Sequence, residues 1–209
     1  MHTLLVDGLA ALGLSLRDRQ IGDLLAYLDL LEKWNRSYNL SAIRDKEQML
    51  IKHLLDSLAL VPYVIKDDGQ RYIDVGTGAG LPGIPLAIVF PDRHFSLLDS
   101  AGKKTRFLTH VQHSLSLSNV RVLHQRVETY RPPELYHRVL SRAFASLEDM
   151  TRLCQHLLTP QGEFWAMKGI FPADELSKVA KHYIVSEHHR LAVPGDPGER
   201  CLLVLQANG

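Results

Sequence analysis

The chain has 209 residues, 45% of them hydrophobic and 22% charged, a composition that fits a folded globular protein and excludes a disordered one. Twenty-four basic and 23 acidic side chains leave a net charge of +1, so the chain is no bulk-charge coat for nucleic acid, and any such contact must come from local basic clusters. Two cysteines, Cys154 and Cys201, stand far apart in no metal-ligand spacing, which argues against a disulfide framework or a zinc site and fits a reducing, cytoplasmic compartment.

Met1 to Leu12 is mildly apolar, carries Asp7 and lacks a basic leader, so no signal peptide is expected there. Residues 1–68 are expected to form a helical region. Ile21, Leu24, Leu25, Leu28, Leu31 and Trp34 recur at three- and four-residue steps, which predicts an amphipathic helix starting near Ser15. A second helix is expected from Asp45, with Gln48 as its capping-box partner. It buries Leu50, Leu54, Leu55, Leu58 and Val61, and Pro62 signals its end. The polar stretch Asn35 to Ser41 separates the two helices, and Lys66 to Gln70 reads as a charged linker.

Residues 69–209 change to alternating strands and helices. The expected strands are Tyr72 to Val75, Phe95 to Leu98, Val120 to Leu123, Arg138 to Ser141 and Glu163 to Met167. The expected helices are Gly83 to Phe90, Lys103 to Leu115, Leu147 to Leu158 and Ala173 to His182. Strands separated by helices imply an α/β fold with a mainly parallel sheet covered on both faces. In the tail, Ile184 to Val193 and Arg200 to Gln206 flank a Pro-Gly-rich turn, which predicts an antiparallel pair closing the sheet. Gly83 to Phe90, the longest apolar run noted, is too short for a bilayer, which takes ~20 residues.

The sharpest signal is Asp74-Val75-Gly76-Thr77-Gly78-Ala79-Gly80-Leu81-Pro82-Gly83, between the first strand and the next helix. Glycines serve where a backbone turns sharply or must touch a ligand. In a doubly wound sheet, ligands sit beyond the carboxyl ends of the strands. The second strand ends in Asp99, an acid placed to accept both ribose hydroxyls of an adenosine. Two cofactors compete for this loop. Read from Gly78, it matches the dinucleotide pattern G-x-G-x-x-G. Read from Gly76, the first glycine after the strand, the third dinucleotide glycine would fall on Leu81, and Pro82 removes an N–H that a pyrophosphate could use. S-adenosylmethionine carries no phosphate, and Asp74 supplies an acid near its amino-acid end. The residues favour S-adenosylmethionine, with a nicotinamide-dependent oxidoreductase as the alternative and a binding protein without chemistry as a third reading. Titration with each cofactor separates the first two, and a methyl-transfer assay separates the third.

The chain resembles the bacterial RsmG (GidB) family of 16S rRNA methyltransferases over nearly its whole length. The residues that carry the resemblance are Lys33-Trp34-Asn35, Tyr38-Asn39-Leu40, His53 to Ser57, Asp74 to Pro85, Leu97 to Ser100, Lys103-Lys104 with Arg106-Phe107-Leu108, Ser141 to Ala145, and Lys168-Gly169. The glycine loop alone is generic to class I methyltransferases; the Ser-Arg-Ala-Phe-Ala segment and the helical prefix make the match specific. The resemblance implies a class I S-adenosylmethionine-dependent, Rossmann-like fold with seven strands, the last antiparallel. It implies methylation of N7 of a guanine in the 530 loop of 16S rRNA (guanosine 527). It also implies that Gly76 and Leu81 line the cofactor site, that Val127 and Glu128 flank the adenine, and that Arg142 faces the cofactor near the point of transfer. Gly78 and Gly80 belong to the same loop.

Guanine N7 has a lone pair and no proton to lose, so no acid or base residue is nominated. The expected RNA contacts are Lys103, Lys104 and Arg106 on one helix, Arg36, Arg44, Lys52 and His53 in the prefix, and Arg142 and Lys168 at strand ends. Trp34 and Tyr38, four apart on a helix, are expected to pack rather than stack on bases. The partner expected is 16S rRNA or a small-subunit assembly intermediate, with no metal and no membrane, and nothing in the sequence demands more than a monomer.

Overall fold

The computed structural model describes residues 1–142, 146–176, 178–179 and 183–208. Its centre is one seven-stranded sheet in the order β3-β2-β1-β4-β5-β7-β6. The strands are β1 (Arg71–Val75), β2 (His94–Asp99), β3 (Val120–His124), β4 (Tyr136–Ser141), β5 (Leu158–Lys168), β6 (Tyr183–Arg190) and β7 (Cys201–Ala207). β1 to β5 pair in parallel, and β7 runs antiparallel between β5 and β6. This is the class I methyltransferase fold, with the antiparallel tail pair in the expected place.

The central strands are apolar on both sides, as parallel strands covered by helices must be. Tyr72, Leu97, Leu140, Trp165 and Val204 join one apolar cluster, while Ile73, Val75, Leu98, Val139 and Phe164 join the other. That alternation is the two-residue period of a strand laid over two cores.

Helices α1 (His2–Ala11), α2 (Asp18–Tyr38), α3 (Lys46–Met49), α4 (Asp56–Leu58) and α5 (Val61–Lys66) form the prefix. Leu24, Leu28 and Leu31 of α2 are fully buried in the cluster that also holds Ile84 and Phe107. Each such side chain contributes about 1.5–3 kcal/mol by leaving water, so the prefix is welded to the sheet's helices by its apolar stripe. The rest of the helices are α6 (Gly83–Val89), α7 (Gly102–Ser114), α8 (Leu147–Cys154) and α9 (Ala173–Leu176).

Several sequence expectations differ from the structure. α2 starts at Asp18, not Ser15, where Gln20 Oε1 accepts from Arg17 N at 3.0 Å and closes the end. Pro62 does not end a helix. It sits in the first turn of α5, where a missing N–H is harmless. Between α3 and α4 the chain makes a π-helical turn, Leu50–Leu55. Asp45 caps α3 as expected, accepting from Gln48 N at 2.8 Å. The stretch Lys46–Lys66 is apolar and long enough to cross a bilayer, yet 72% of its most apolar window is buried inside the fold, so it is a core segment. Only the start of the expected helix Ala173 to His182 is described as helix, and residues 177 and 180–182 of it lie outside the described residues.

Candidate active site

β1 ends at Val75, and the chain turns at once through Gly76, whose φ is +68°. A side chain is disfavoured in that region of backbone space. The turn is stitched to the end of β2, because Gly76 N and Thr77 N both donate to Leu98 O, at 2.9 and 3.2 Å. Gly80, with φ +92°, also answers to packing: a Cβ there would stand 2.6 Å from Ile84 Cγ1 and 2.7 Å from Leu108 Cδ2. From the prefix, Tyr27 Oη donates to Ala79 O at 2.8 Å and ties α2 to the loop.

Asp74 turns inward and braces the loop. Its Oδ2 accepts from Thr77 Oγ1 at 2.7 Å and from Gly83 N at 2.9 Å. Burial pushes this carboxyl up to about 6, although Thr77, the Gly83 N–H and Arg142 all favour its ionised form. Its place is thus 1% exposed and behind the loop, rather than in the cleft in front of it. Leu81 is likewise 4% exposed with its side chain in the core. Gly83 N and Ile84 N, the first amides of α6, are taken by Asp74 and by Gly80 O. With Pro82 lacking an N–H, this helix start offers little to a pyrophosphate, against the dinucleotide alternative.

In front of the loop lies a cleft of about 310 Å³ over the carboxyl ends of β1, β2 and β3. It brings together Gly76, Asp99, Lys104, Val127 and Glu128. Gly78, Gly80, Leu81 and Asp74 belong to the loop beside it and Arg142 lines a separate cavity; none of the five lines this cleft. Asp99 is 6% exposed. Its Oδ1 accepts from Ala101 N at 2.9 Å, and its Oδ2 accepts from Gly78 N at 3.0 Å and faces Lys104 Nζ at 3.4 Å. A carboxylate has about four acceptor sites. Lys104 is partly exposed and its contact long, so Asp99 retains capacity for a ligand's hydroxyls.

A second cavity, of about 300 Å³, lies over the carboxyl ends of β4 and β5, beside the antiparallel start of β7. Here the structure joins four predicted residues, Lys52, His53, Arg142 and Lys168, and adds Asp56 and Arg200. Arg142 Nη1 donates to Lys52 O and to Asp56 Oδ2, each at 3.1 Å. Arg200 Nε donates to Asp56 Oδ1 at 3.0 Å. Asp56 is 3% exposed, held between the two guanidiniums. His53 Nε2 faces Ser41 Oγ at 2.7 Å, and its Nδ1 faces Lys52 O at 3.0 Å. Burial first, and the Arg142 charge second, push His53 down to about 4, against the opposing pull of Lys52 O. His53 is therefore neutral at pH 7.

The other predicted basic residues behave differently. Lys103 and Arg106 are exposed along α7. Arg36 pairs with Glu32 at 2.6 Å within α2. Arg44 donates to Asn35 O at 2.8 Å and to the Asn39 side chain, closing the loop after α2. Lys168 Nζ pairs with Glu175 at 2.9 Å. Trp34 stacks on Tyr38 with centroids 5.1 Å apart and also meets Phe107, so packing accounts for it. A larger cavity, about 580 Å³, opens beside the Asp67–Arg138 ion pair, on the sheet rather than beyond its carboxyl edge. Among the described residues no three His, Cys, Asp or Glu side chains gather as a metal site. Residues 143–145, which carry part of the Ser-Arg-Ala-Phe-Ala match, lie outside the described residues.

Sequence reasoning missed Asp56 and Arg200 as site residues. The signal for Asp56 was present, since an acid interrupts the apolar stripe of its helix. Arg200 carried none, standing just before β7 and 144 residues from its partner.

Comparison with known proteins gives a consistent answer. The family described as rRNA small subunit methyltransferase G matches residues 20–203. A ribosomal RNA small subunit methyltransferase G of Saccharophagus degradans is 56% identical over 196 residues, covering 94% of this chain and 86% of its own. One of Alteromonas mediterranea is 52% identical, covering 99% and 96%. Among solved structures, TrmN from Thermus thermophilus superposes with a TM-score of 0.57 at 18% identity, over 73% of this chain and 48% of that longer one. An S-adenosylmethionine-dependent O-methyltransferase from Thermotoga maritima gives 0.54 at 13% identity, over 74% and 65%. At such identities the structures speak for the fold alone.

Proposed function

The chain belongs to the rRNA small subunit methyltransferase G family, and from that premise we propose that it methylates N7 of guanosine 527 in the 530 loop of 16S rRNA, with S-adenosylmethionine as donor. The observation that carries the reading is the pairing of two cavities along one sheet edge. One is the cleft of Gly76, Asp99, Val127 and Glu128; the other is the basic cavity of Arg142, Lys168 and Arg200.

The residues of the first cleft fit the donor. Asp99 would accept from the ribose hydroxyls, Val127 and Glu128 would flank the adenine, and Gly76 would admit the ligand against bare backbone. Asp74, Gly78, Gly80 and Leu81 would hold the loop's shape from behind. When bound, the donor's sulfonium supplies the methyl group.

The acceptor N7 needs no deprotonation, because its lone pair lies in the ring plane and bears no hydrogen. The chain's task is then alignment, which in model reactions is worth up to ~7–11 kcal/mol. Arg142 stands after β4, next to β1 in the sheet, and so lies toward the glycine loop from the second cavity. Lys103 and Arg106 would extend the RNA contact along α7 through phosphates. Residues 1–68 act in this reading as a helical region that walls the acceptor side, and residues 69–209 as the domain that holds the donor.

The test uses small-subunit RNA carrying 7-deazaguanine at the target position, with carbon in place of N7. Methyl transfer to the guanine substrate and none to the deaza substrate is the expected result. Methylation of the deaza substrate, or of another base, would overturn the assignment.

A further inference from the structure

Resting on that reading, we propose that the cavity beside Arg142 seats a single RNA phosphodiester next to the target guanosine, and that Asp56 is the positioning residue that sets two arginines for it. Asp56 comes from the prefix, Arg142 from the end of β4 and Arg200 from the entry to β7. Three separate parts of the chain therefore meet at one carboxylate. Each Asp56 oxygen takes one guanidinium, Oδ2 that of Arg142 at 3.1 Å and Oδ1 that of Arg200 at 3.0 Å.

Two guanidiniums side by side repel, and a carboxylate between them removes that cost and fixes their planes. Arg142 and Arg200 remain 23% and 28% exposed, while Asp56 is 3% exposed. The acid is thus behind and the cations are in front. Lys52 and Lys168 add two positive charges to the lining. Glu175 pairs with Lys168, and Asp196 pairs with Arg200 at 3.0 Å. Four basic groups against Asp56, Glu175 and Asp196 leave a surplus of one positive charge. His53 is neutral and does not change that balance at pH 7. A surplus of one matches one phosphodiester and not a run of backbone.

The shape agrees with the charge. The cavity of about 300 Å³, which Ile43 and Met167 also line, has room for one phosphate group. A nucleotide drawn out of its stack can place its backbone there, as enzymes acting on bases in structured nucleic acid require. A π-helical turn carries Lys52 and His53 into the wall, a distortion often found at functional positions.

The experiment crosses protein and RNA changes in the full-length enzyme. The RNA carries a neutral methylphosphonate in place of the phosphodiester on the 5′ or the 3′ side of the target guanosine. In the wild type, one of these should raise KM for RNA about tenfold, the loss expected for a charge-assisted contact. In Arg200→Ala and in Asp56→Asn, KM should already be raised and the same methylphosphonate should add less than twofold. S-adenosylmethionine affinity by calorimetry should stay within twofold in both variants. Asp56→Glu should restore part of the lost sensitivity. Penalties that multiply independently at both linkages would overturn the proposal, as would inorganic phosphate competing equally with wild type and Arg200→Ala. Should Asp56→Asn fail to fold, the Arg200→Ala cycle decides alone. Transfer to unmodified RNA by the wild type checks the functional reading separately, so its loss and the loss of this inference are distinguishable.

Discussion

The amide of Gly78 donates to the carboxylate of Asp99 at 3.0 Å, across 21 residues of sequence, and joins the glycine loop to the tip of β2. The bond follows from register. Val75 pairs with Leu98, so the loop that follows β1 and Asp99, the last residue of β2, emerge side by side at the same sheet edge. A side chain read from sequence as a ligand contact is therefore also a strut of the glycine loop.

Asp99→Ala should weaken S-adenosylmethionine by ~1.5–3 kcal/mol, the usual worth of a charge-assisted hydrogen bond. The turnover at saturating donor should change little, because the ribose lies away from the moving methyl. Calorimetry and saturating-donor rates check this together. A large fall in rate with unchanged affinity would place Asp99 elsewhere.

Gly80→Ala and Gly13→Ala separate crowding from backbone strain. Both glycines have positive φ, +92° and +69°. At Gly13 a Cβ meets nothing within 4 Å, whereas at Gly80 it meets Ile84 and Leu108. The Gly13 change should cost about 1 kcal/mol for strain alone. The Gly80 change should cost about 1–3 kcal/mol more for overpacking. Chemical denaturation measures both, and equal costs would show that the crowding at Gly80 relaxes freely.

Much of this was legible beforehand, and the rest was not for identifiable reasons. The glycine loop and the strand ends are local signals, so the meeting of Gly76 and Asp99 at one cleft was readable from a few adjacent residues. α1 was not singled out as a helix, since its start at Met1 carries no side-chain cap. Pro62 misled because proline opens a helix as readily as it follows one. Arg142 was placed near the site by resemblance, but its bonds to Lys52 and Asp56 span 90 and 86 residues. Such pairings depend on tertiary approach, and no spacing in the chain announces them.

Tyr27→Phe should destabilise the fold by about 1–3 kcal/mol, because Ala79 O would lose its buried donor. Burial raises the Tyr27 phenol far above its ordinary range, so the group is a neutral donor at every working pH. Donor affinity should also fall severalfold as the loop loosens. Unchanged melting and unchanged affinity would show that α2 does not brace the loop.

Asp74 predicts a specific pH dependence of stability. Its folded pKa of about 6 lies above the ordinary 3.8. Between those values the folded chain keeps a proton that the unfolded chain releases, so this group's contribution falls as pH rises through the window. The rise corresponds to a cost on the order of 3 kcal/mol above pH 6. Asp74→Asn has no such proton. The stability of the variant minus that of the wild type should therefore climb between pH 4 and pH 7 and then level off. Urea denaturation across that range gives the difference curve, and a flat curve would show that Asp74 ionises in the fold without penalty.

The rate of methyl transfer should be nearly flat from about pH 7 to 9 at saturating donor and RNA. On the proposed assignment the acceptor is guanine N7, which has no proton for a base to remove, so a bell from an enzyme acid and base has no origin. His53 lines the cavity proposed for the acceptor, and with its pKa lowered to about 4 it is neutral across this range. Its ionisation therefore falls outside the window. Asp74, raised to about 6, is half-ionised there and sets a lower edge, seen as a change below about pH 7 that Asp74→Asn should remove. Single-turnover rates measured over pH 5 to 9 test both statements. A bell centred near neutrality that survives Asp74→Asn would mean that a proton is removed in the transition state. The acceptor would then be a protonated ring or exocyclic nitrogen rather than N7, and the alignment mechanism would fail even though the chain remains a member of its family.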